Sequence, residues 1–396
     1  MILFRLIPLL FIILLAVSPL YASDDSQSSF SDHPVLSSLA EEDIKNALET
    51  VSDHSYNDMA IEAVKKNVAL FSDKIKERFS LYLSRSGKYL ELMKGILKEN
   101  NVPEEIVFIP LIESGFNPNA YSPARAVGYW QFIASTAKRY GLEINWWKDE
   151  RKDPVKSTVA AANYLRDLYD MFGSWNLAMA AYNAGEGKIL RALNKTKADD
   201  YWSLLKTQHI KSETKNYVPK FIAASVIATS PANYGFDNIE FHPPLNYDKV
   251  TLKSPVDLEI IAECAETSVE AIRDLNPELR RWCTPPDVPE YALRVPKGKK
   301  DVFGENLGKI PEEKRLSIDV YTARKGDTIK TISNKTGVPV QVILDLNAME
   351  KIIPLQAGMK IYLPPKGKFK LDADDKKMAK KASLKDKKKN SKQKRT

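Results

Sequence analysis

In residues 111–132, LIESGFNPNAYSPARAVGYWQF, one carboxylate sits at the edge of an apolar run. Ile106, Ile109 and Glu113 are spaced three and four residues apart, so on a helix they share a face. Glu113 is therefore carried toward the apolar side. Burial disfavours the charged form of a carboxyl, and a Glu kept protonated near neutral pH is a general acid. Taken alone, a buried Glu would more simply be an ion-pair partner or a helix cap. Its companions change that reading. Ser114, Ser122, Gly128 and Gln131 follow closely, with Trp130 and Phe132 on either side of Gln131. Further on, AAYNAG places Tyr182 and Asn183 beside a glycine turn, and ETKNYV supplies Glu213 and Tyr217. Aromatic faces and amides suit sugar rings, whose CH faces stack and whose hydroxyls need hydrogen-bond partners. The four His and two Cys show no metal-ligand spacing, so neither metal nor cofactor is expected.

Helices must position these groups. Pro103 opens one, with Glu104 and Glu105 in its first turn, and Asn117-Pro118 is expected to end it. Asp153-Pro154 starts another, with Val159, Ala162, Leu165, Leu168 and Phe172 as its buried stripe and Gly173 as its end. WNLAMAAYNAG is a short helix closed by Gly185, and YVPKFIAASVIAT one more, ending before Pro231. Residues 56–235 read as one all-α domain.

The 396-residue chain is 43% apolar, which supports a buried core. Residues 1–22 read as a secretory signal with Arg5 before an apolar run; an uncleaved anchor is the alternative, although the run is short for a span. Residues 23–55 are expected as leader or linker. The net charge of +8 comes from the tail: from Lys376 onward eleven Lys/Arg meet one Asp, leaving the body near −2. The tail, 367–396, is expected to be disordered and could touch lipid headgroups or cell-wall polymers; nucleic acid is not expected. Export leaves Cys264 and Cys283 open to a disulfide or to two buried thiols.

The C-terminal part repeats. Ile261, Val269, Ile272, Asp274, Leu275 and Asn276 are matched by Ile332, Val340, Ile343, Asp345, Leu346 and Asn347, and YALRVPKG by KIYLPPKG. Each unit reads as strand, two short helices, strand, at 236–300 and 318–366, with 301–317 as linker. The pair resembles LysM modules, which bind N-acetylglucosamine-containing glycans. The first copy lacks the Gly-Asp of KGDT, has a longer late loop, and reads as degenerate.

The ordered set E-S-x-x-N-P-x-A-x-S, G-x-W-Q-F, A-Y-N-A-G and E-T-x-x-Y-V resembles the bacterial lytic transglycosylases with the goose-type lysozyme fold, and ERKDPVKSTVAAANYL fits as well. Tyr129 departs from the pattern, standing where small or apolar residues are common. The resemblance implies a multidomain α+β chain: an all-α lysozyme-like catalytic domain followed by two small βααβ LysM-type modules. It implies Glu113 as catalytic acid/base. Ser122, Gly128, Gln131, Tyr182, Asn183 and Tyr217 become substrate-binding residues, with Ser114 and Glu213 in support. The implied reaction is cleavage of the β-1,4 bond between N-acetylmuramic acid and N-acetylglucosamine in exported, cell-envelope peptidoglycan, leaving 1,6-anhydro ends. A hydrolytic lysozyme on the same fold and a non-catalytic peptidoglycan-binding scaffold are the alternatives.

Overall fold

The computed structural model describes residues 34–51 and 58–368. The signal at 1–22 and the tail beyond 368 lie outside them. Helices α1 (Pro34–Val51), α2 (Asp58–Ala69), α3 (Lys76–Ser86), α4 (Leu90–Glu99), α5 (Ile109–Glu113), α6 (Ala134–Arg139), α7 (Pro154–Phe172), α8 (Trp175–Ala184), α9 (Glu186–Thr196), α10 (Tyr201–Leu205) and α11 (Ser212–Thr229) share one apolar core. Among the described residues of this span, strand pairing is limited to isolated bridges.

The stretch expected as leader contributes α1, whose Ile44 and Leu48 are fully buried, and α1 packs on α11. Its apolar residues recur at helical spacing within a polar background, which composition alone hides.

α11 runs through the middle of the domain. From Tyr217 to Ile227 every residue except Lys220 is buried, as expected of a helix surrounded by others. It packs on α1, α2, α5 and α8. Pro219 lies inside it and cannot donate to the carbonyl of Lys215. The hydroxyl of Tyr201 donates to that carbonyl instead, at 2.7 Å. α7 ends at Gly173, which takes a left-handed φ of +66°. Its expected stripe is buried at Ala162, Leu165 and Leu168, half-buried at Phe172 and exposed at Val159.

Two βααβ units follow. β1 (Tyr247–Leu252) pairs antiparallel with β2 (Tyr291–Pro296) around α12 (Leu258–Cys264) and α13 (Val269–Leu275). After α14 (Lys300–Gly308), β3 (Asp319–Thr322) pairs with β4 (Lys360–Leu363) around α15 (Ile329–Thr336) and α16 (Val340–Leu346). The repeated Asn has one job in both copies. Asn276 Nδ2 donates to the carbonyls of Ile272 and Arg294 while its Oδ1 accepts from Arg294 N. Asn347 does the same with Ile343 and Tyr362. Each Asn thus clasps the second helix to the closing strand.

One expectation needs correction, and one open alternative is settled. The stretch 301–317 is not a bare linker, because Phe303 of α14 enters the first unit's core together with Leu307 and Ile310. Cys264 and Cys283 are unbridged and buried. Cys264 ends α12 inside the first unit's core, whereas Cys283 packs with Trp146, Trp147 and Trp282 in the neighbouring one. Burial raises the pKa of both thiols. Thermal unfolding should therefore give the same Tm with and without dithiothreitol; a Tm lowered by reductant would restore the bridge.

Candidate active site

Glu113 is the last residue of α5, a single turn preceded by a 3₁₀ turn at Glu104–Phe108. The expected continuous helix to Asn117 breaks early for two reasons. Pro110 has no N–H to donate to the carbonyl of Ile106, four residues back, so the α-helical ladder is interrupted there. Gly115 and Phe116 then turn left-handed, at φ +58° and +53°. A Cβ on Gly115 would lie 2.1 Å from the ring of Tyr82, so only glycine lets that ring cover the turn.

The turn leaves Glu113 half-buried, with Oε1 accepting from the Tyr217 hydroxyl at 2.7 Å. Burial is the main cause that raises the carboxyl's pKa, and the charge of Glu213 adds to it. The Tyr217 hydrogen bond and the Lys220 ammonium pull the other way. Lys220 in turn is shifted down by burial, against the charges of Glu113 and Glu213. Glu213, Tyr217 and Lys220 fall at i, i+4 and i+7 of α11, one face aimed at the acid. Lys220 was not singled out from sequence, although this spacing in ETKNYVPK was its signal.

The other expected substrate residues lie on the loop before α6 and at the end of α8. Tyr182 donates its hydroxyl to the Trp130 carbonyl at 2.6 Å and feels the Glu113 charge. Asn183 Oδ1 accepts from Thr214 Oγ1 at 3.0 Å. Gln131 sits at φ +50° and donates through Nε2 to the Gly128 carbonyl at 2.9 Å. Ser122 Oγ accepts from Ala126 N at 3.0 Å and so closes a turn of the same loop. Ser114 Oγ donates to the Tyr129 carbonyl at 2.8 Å, tying the end of α5 to that loop. Trp130 and Phe132, expected as wall, are buried behind it; Trp130 Nε1 donates to Thr158 Oγ1 at 3.0 Å. Tyr129 turns inward, fully buried edge-on to Tyr89.

What holds the loop is Arg151, which sequence reasoning quoted within ERKDPVKSTVAAANYL without giving it a role. Its guanidinium is buried and paired with Asp149 through Nε at 2.9 Å and Nη2 at 2.7 Å. Nη1 donates to the carbonyls of Arg125 and Phe132, at 3.2 and 3.1 Å, gripping both limbs of the loop. The Arg151 carbonyl lies where a Cβ on Gly128 would be, 1.9 Å away. Arg125, Gly128 and Gln131 all have positive φ, the kind of backbone strain that surroundings must over-determine.

The first βααβ unit anchors this support. Asp149 N donates to the Glu278 carbonyl, Arg280 N to the Trp147 carbonyl, and Arg281 Nε to the Trp146 carbonyl. Arg294 of β2 donates to Asp153 Oδ2 at 2.6 Å, while Asp153 Oδ1 caps α7 through Val155 N and Lys156 N. Beside them, burial and the Asp153 charge push the Glu278 carboxyl up to about 7. The second unit joins through Trp147 Nε1, which donates to Asp345 at 2.7 Å.

Residues 92–205 match the transglycosylase SLT domain family, residues 246–312 the LysM-like domain of lytic transglycosylase MltD, and residues 321–364 the LysM domain. Membrane-bound lytic murein transglycosylase D of Escherichia coli (strain K12) is 34% identical over 303 residues, which is 70% of this chain. The aligned part spans 66% of that relative's own length. A putative tributyltin chloride resistance protein of Alteromonas sp. (strain M-1) is 35% identical over 167 residues, 38% of this chain and 81% of the relative. Among solved structures, the 70 kDa soluble lytic transglycosylase SLT70 of Escherichia coli is similar at 22% identity and a TM-score of 0.33, covering 52% of this chain and 37% of that one.

Two variants probe the site. Tyr217→Phe removes a hydrogen bond that favours the ionised carboxylate, so the pKa of Glu113 should rise further and the alkaline limb of kcat/KM should move to higher pH. A limb that stays in place or moves down would exclude that control. Gly128→Ala adds a methyl against the Arg151 carbonyl at a left-handed φ and should cost about 2–4 kcal/mol in stability, with a fall in kcat. Full activity and an unchanged Tm would mean that the loop yields freely there.

Proposed function

The chain belongs to the transglycosylase SLT-domain family, in the arrangement that carries LysM modules, and from that membership we propose that it is a peptidoglycan lytic transglycosylase of the cell envelope. The observation that carries the reading is the half-buried Glu113, kept toward its protonated form and held by Tyr217 in a wall of amides and aromatics.

Glu113 protonates the oxygen of the β-1,4 bond between N-acetylmuramic acid and N-acetylglucosamine. The bond breaks, and the N-acetyl oxygen of the muramyl residue stabilises the cation from below. Glu113, now a carboxylate, takes the proton of the muramyl 6-hydroxyl as that oxygen closes on C1. The product is a 1,6-anhydro end, and no water is consumed. Most glycosidases need a second carboxylate to act as nucleophile or to activate water. Here the second carboxylate acting on the acid is Glu213, which is exposed one turn before Tyr217 on α11 and contributes through its charge. A proton cycle run on one carboxyl fits this arrangement. The second LysM-type unit holds glycan strands near the cleft, and the basic tail adds non-specific attraction to anionic envelope polymers or lipid headgroups. Export by the secretory signal read at residues 1–22 puts the enzyme in the periplasm.

Two measurements on Glu113→Gln and the wild type test this. The amide keeps the shape and loses the proton, so turnover of glycan strands should vanish while strand binding persists. Replacing a carboxyl whose folded pKa is raised should also stabilise the fold. The gain should be absent below the ordinary carboxylate pKa, grow as pH rises toward the raised value, and then level off. Wild-type products should carry anhydro ends. Products heavier by a water, about 18 mass units, with reducing muramic ends, would make it a hydrolase.

A further inference from the structure

A second concavity adjoins the cleft. It encloses about 260 Å³ between α9 and the start of α11. Lys188, Arg191 and Lys195 line it from α9, and His209 and Lys211 from the segment leading into α11. No carboxylate lines it, and among the described residues none of these five side chains makes an ion pair. The nearest carboxylate on α9, Glu186, is engaged by Arg139 at 3.0 Å and by Tyr164 at 3.2 Å.

This arrangement costs the helix. Lys188, Arg191 and Lys195 stand at i, i+3 and i+7, so like charges share one face and repel. Lys188 also occupies the first turn, where the helix dipole disfavours a cation. Only Lys195, in the last turn, is placed as helix electrostatics prefer. A converging set of cations kept against these penalties is suited to an anion.

The pocket's position says which anion. Thr214 belongs to its wall, and Thr214 Oγ1 donates to Asn183 in the cleft. Thr214 lies three residues before Tyr217 on α11, a rise of about 4.5 Å. A polymer held against Glu113 would therefore project its nearest substituents toward these cations. Resting on the reading of the substrate as peptidoglycan, we propose that this pocket binds the free carboxylates of the stem peptide carried by the muramyl residue in the cleft. The sugar rings themselves are neutral, and the peptide's amino-acid carboxylates are anions that extend beyond them. The pocket makes the enzyme distinguish peptide-bearing strands from stripped ones.

The test uses the full chain and the triple variant Lys188→Gln, Arg191→Gln, Lys195→Gln, whose changes are all on exposed side chains. Three soluble strands are compared: peptide-bearing, peptide-bearing with amidated carboxylates, and strands stripped of peptide by an amidase, which retain only the lactyl carboxylate. The variant should raise KM for the first substrate about fivefold and leave kcat and KM for the other two unchanged. In the wild type, preference for the first should fade with added salt, because exposed charges are screened. Equal effects on all three strands, no effect on any, a selective loss on stripped strands, or a salt-independent preference would each overturn the assignment. The last two would point to the lactyl group or to uncharged contacts. Anhydro products from stripped strands keep the transglycosylase reading standing whatever the pocket does. If the wild type releases no anhydro ends from any strand, that reading falls and the pocket assignment falls with it.

Discussion

The geometry of the cleft depends on one buried guanidinium. Arg151 spends two nitrogens on Asp149 and its third on two carbonyls of the loop that faces Glu113. Taking this charge out of water is costly, and the pair is tolerated because almost every donor is used. Removing one partner from such a buried pair costs about 3–5 kcal/mol. The same residue fills, with its carbonyl, the space above Gly128 that any side chain would need. The loop can therefore keep Arg125, Gly128 and Gln131 in left-handed backbone. Lysine could not replace the fork, since it offers a point charge where two carbonyls and a carboxylate must be met at fixed angles.

The support continues outward from Arg151. The segment 145–153 has little regular structure of its own, and backbone hydrogen bonds from the first βααβ unit take up its peptide groups. In the second unit, Asp327 receives Tyr321, Arg324 N and Lys335 within the module, which holds its carboxyl well below the usual range. In the first unit, Asp257 stands at the N-cap position of the matching helix but makes no side-chain cap bond, and its oxygens accept instead from Ser317 and Lys368 of the following chain. The long loop of this copy packs on Trp146 and Trp147. Its departures from the repeat are therefore the positions that attach it to its neighbours. The copy has kept the Asn276 clasp that folds it and has turned its variable loop into a brace.

This division explains what could be read from the chain. The βααβ units were legible because Asn276 and Asn347 are local devices repeated in register. α7 was legible because Asp153-Pro154 and Gly173 are cap signals independent of tertiary context. Glu113, Tyr182 and Tyr217 could be grouped from their types and order, and the fold brings them together. The role of Arg151 was not legible, because a buried arginine and a solvated one look alike in sequence until the carbonyls it meets are known. The early end of α5 was hidden for a similar reason. Its stop depends on a glycine fitted under Tyr82, a contact between residues far apart in sequence. The α1 contribution was masked by a polar composition around two core residues, Ile44 and Leu48.

The acid itself is set by a balance rather than by burial alone. Desolvation pushes Glu113 toward its protonated form, and unopposed burial would leave a carboxyl too weak as an acid to give up its proton in the forward step. The counterweights, Tyr217 and Lys220, come from one face of α11. That helix is buried on every other side, so the face cannot rotate away from the acid. Even the carbonyl that Pro219 leaves free within it is occupied by Tyr201, which removes a site where the helix could bend. In the proposed reaction a single carboxyl first donates and then accepts a proton, which calls for a pKa between the extremes. Both influences that lower it, Tyr217 and Lys220, sit on neighbouring turns of one buried helix, against the burial that raises it.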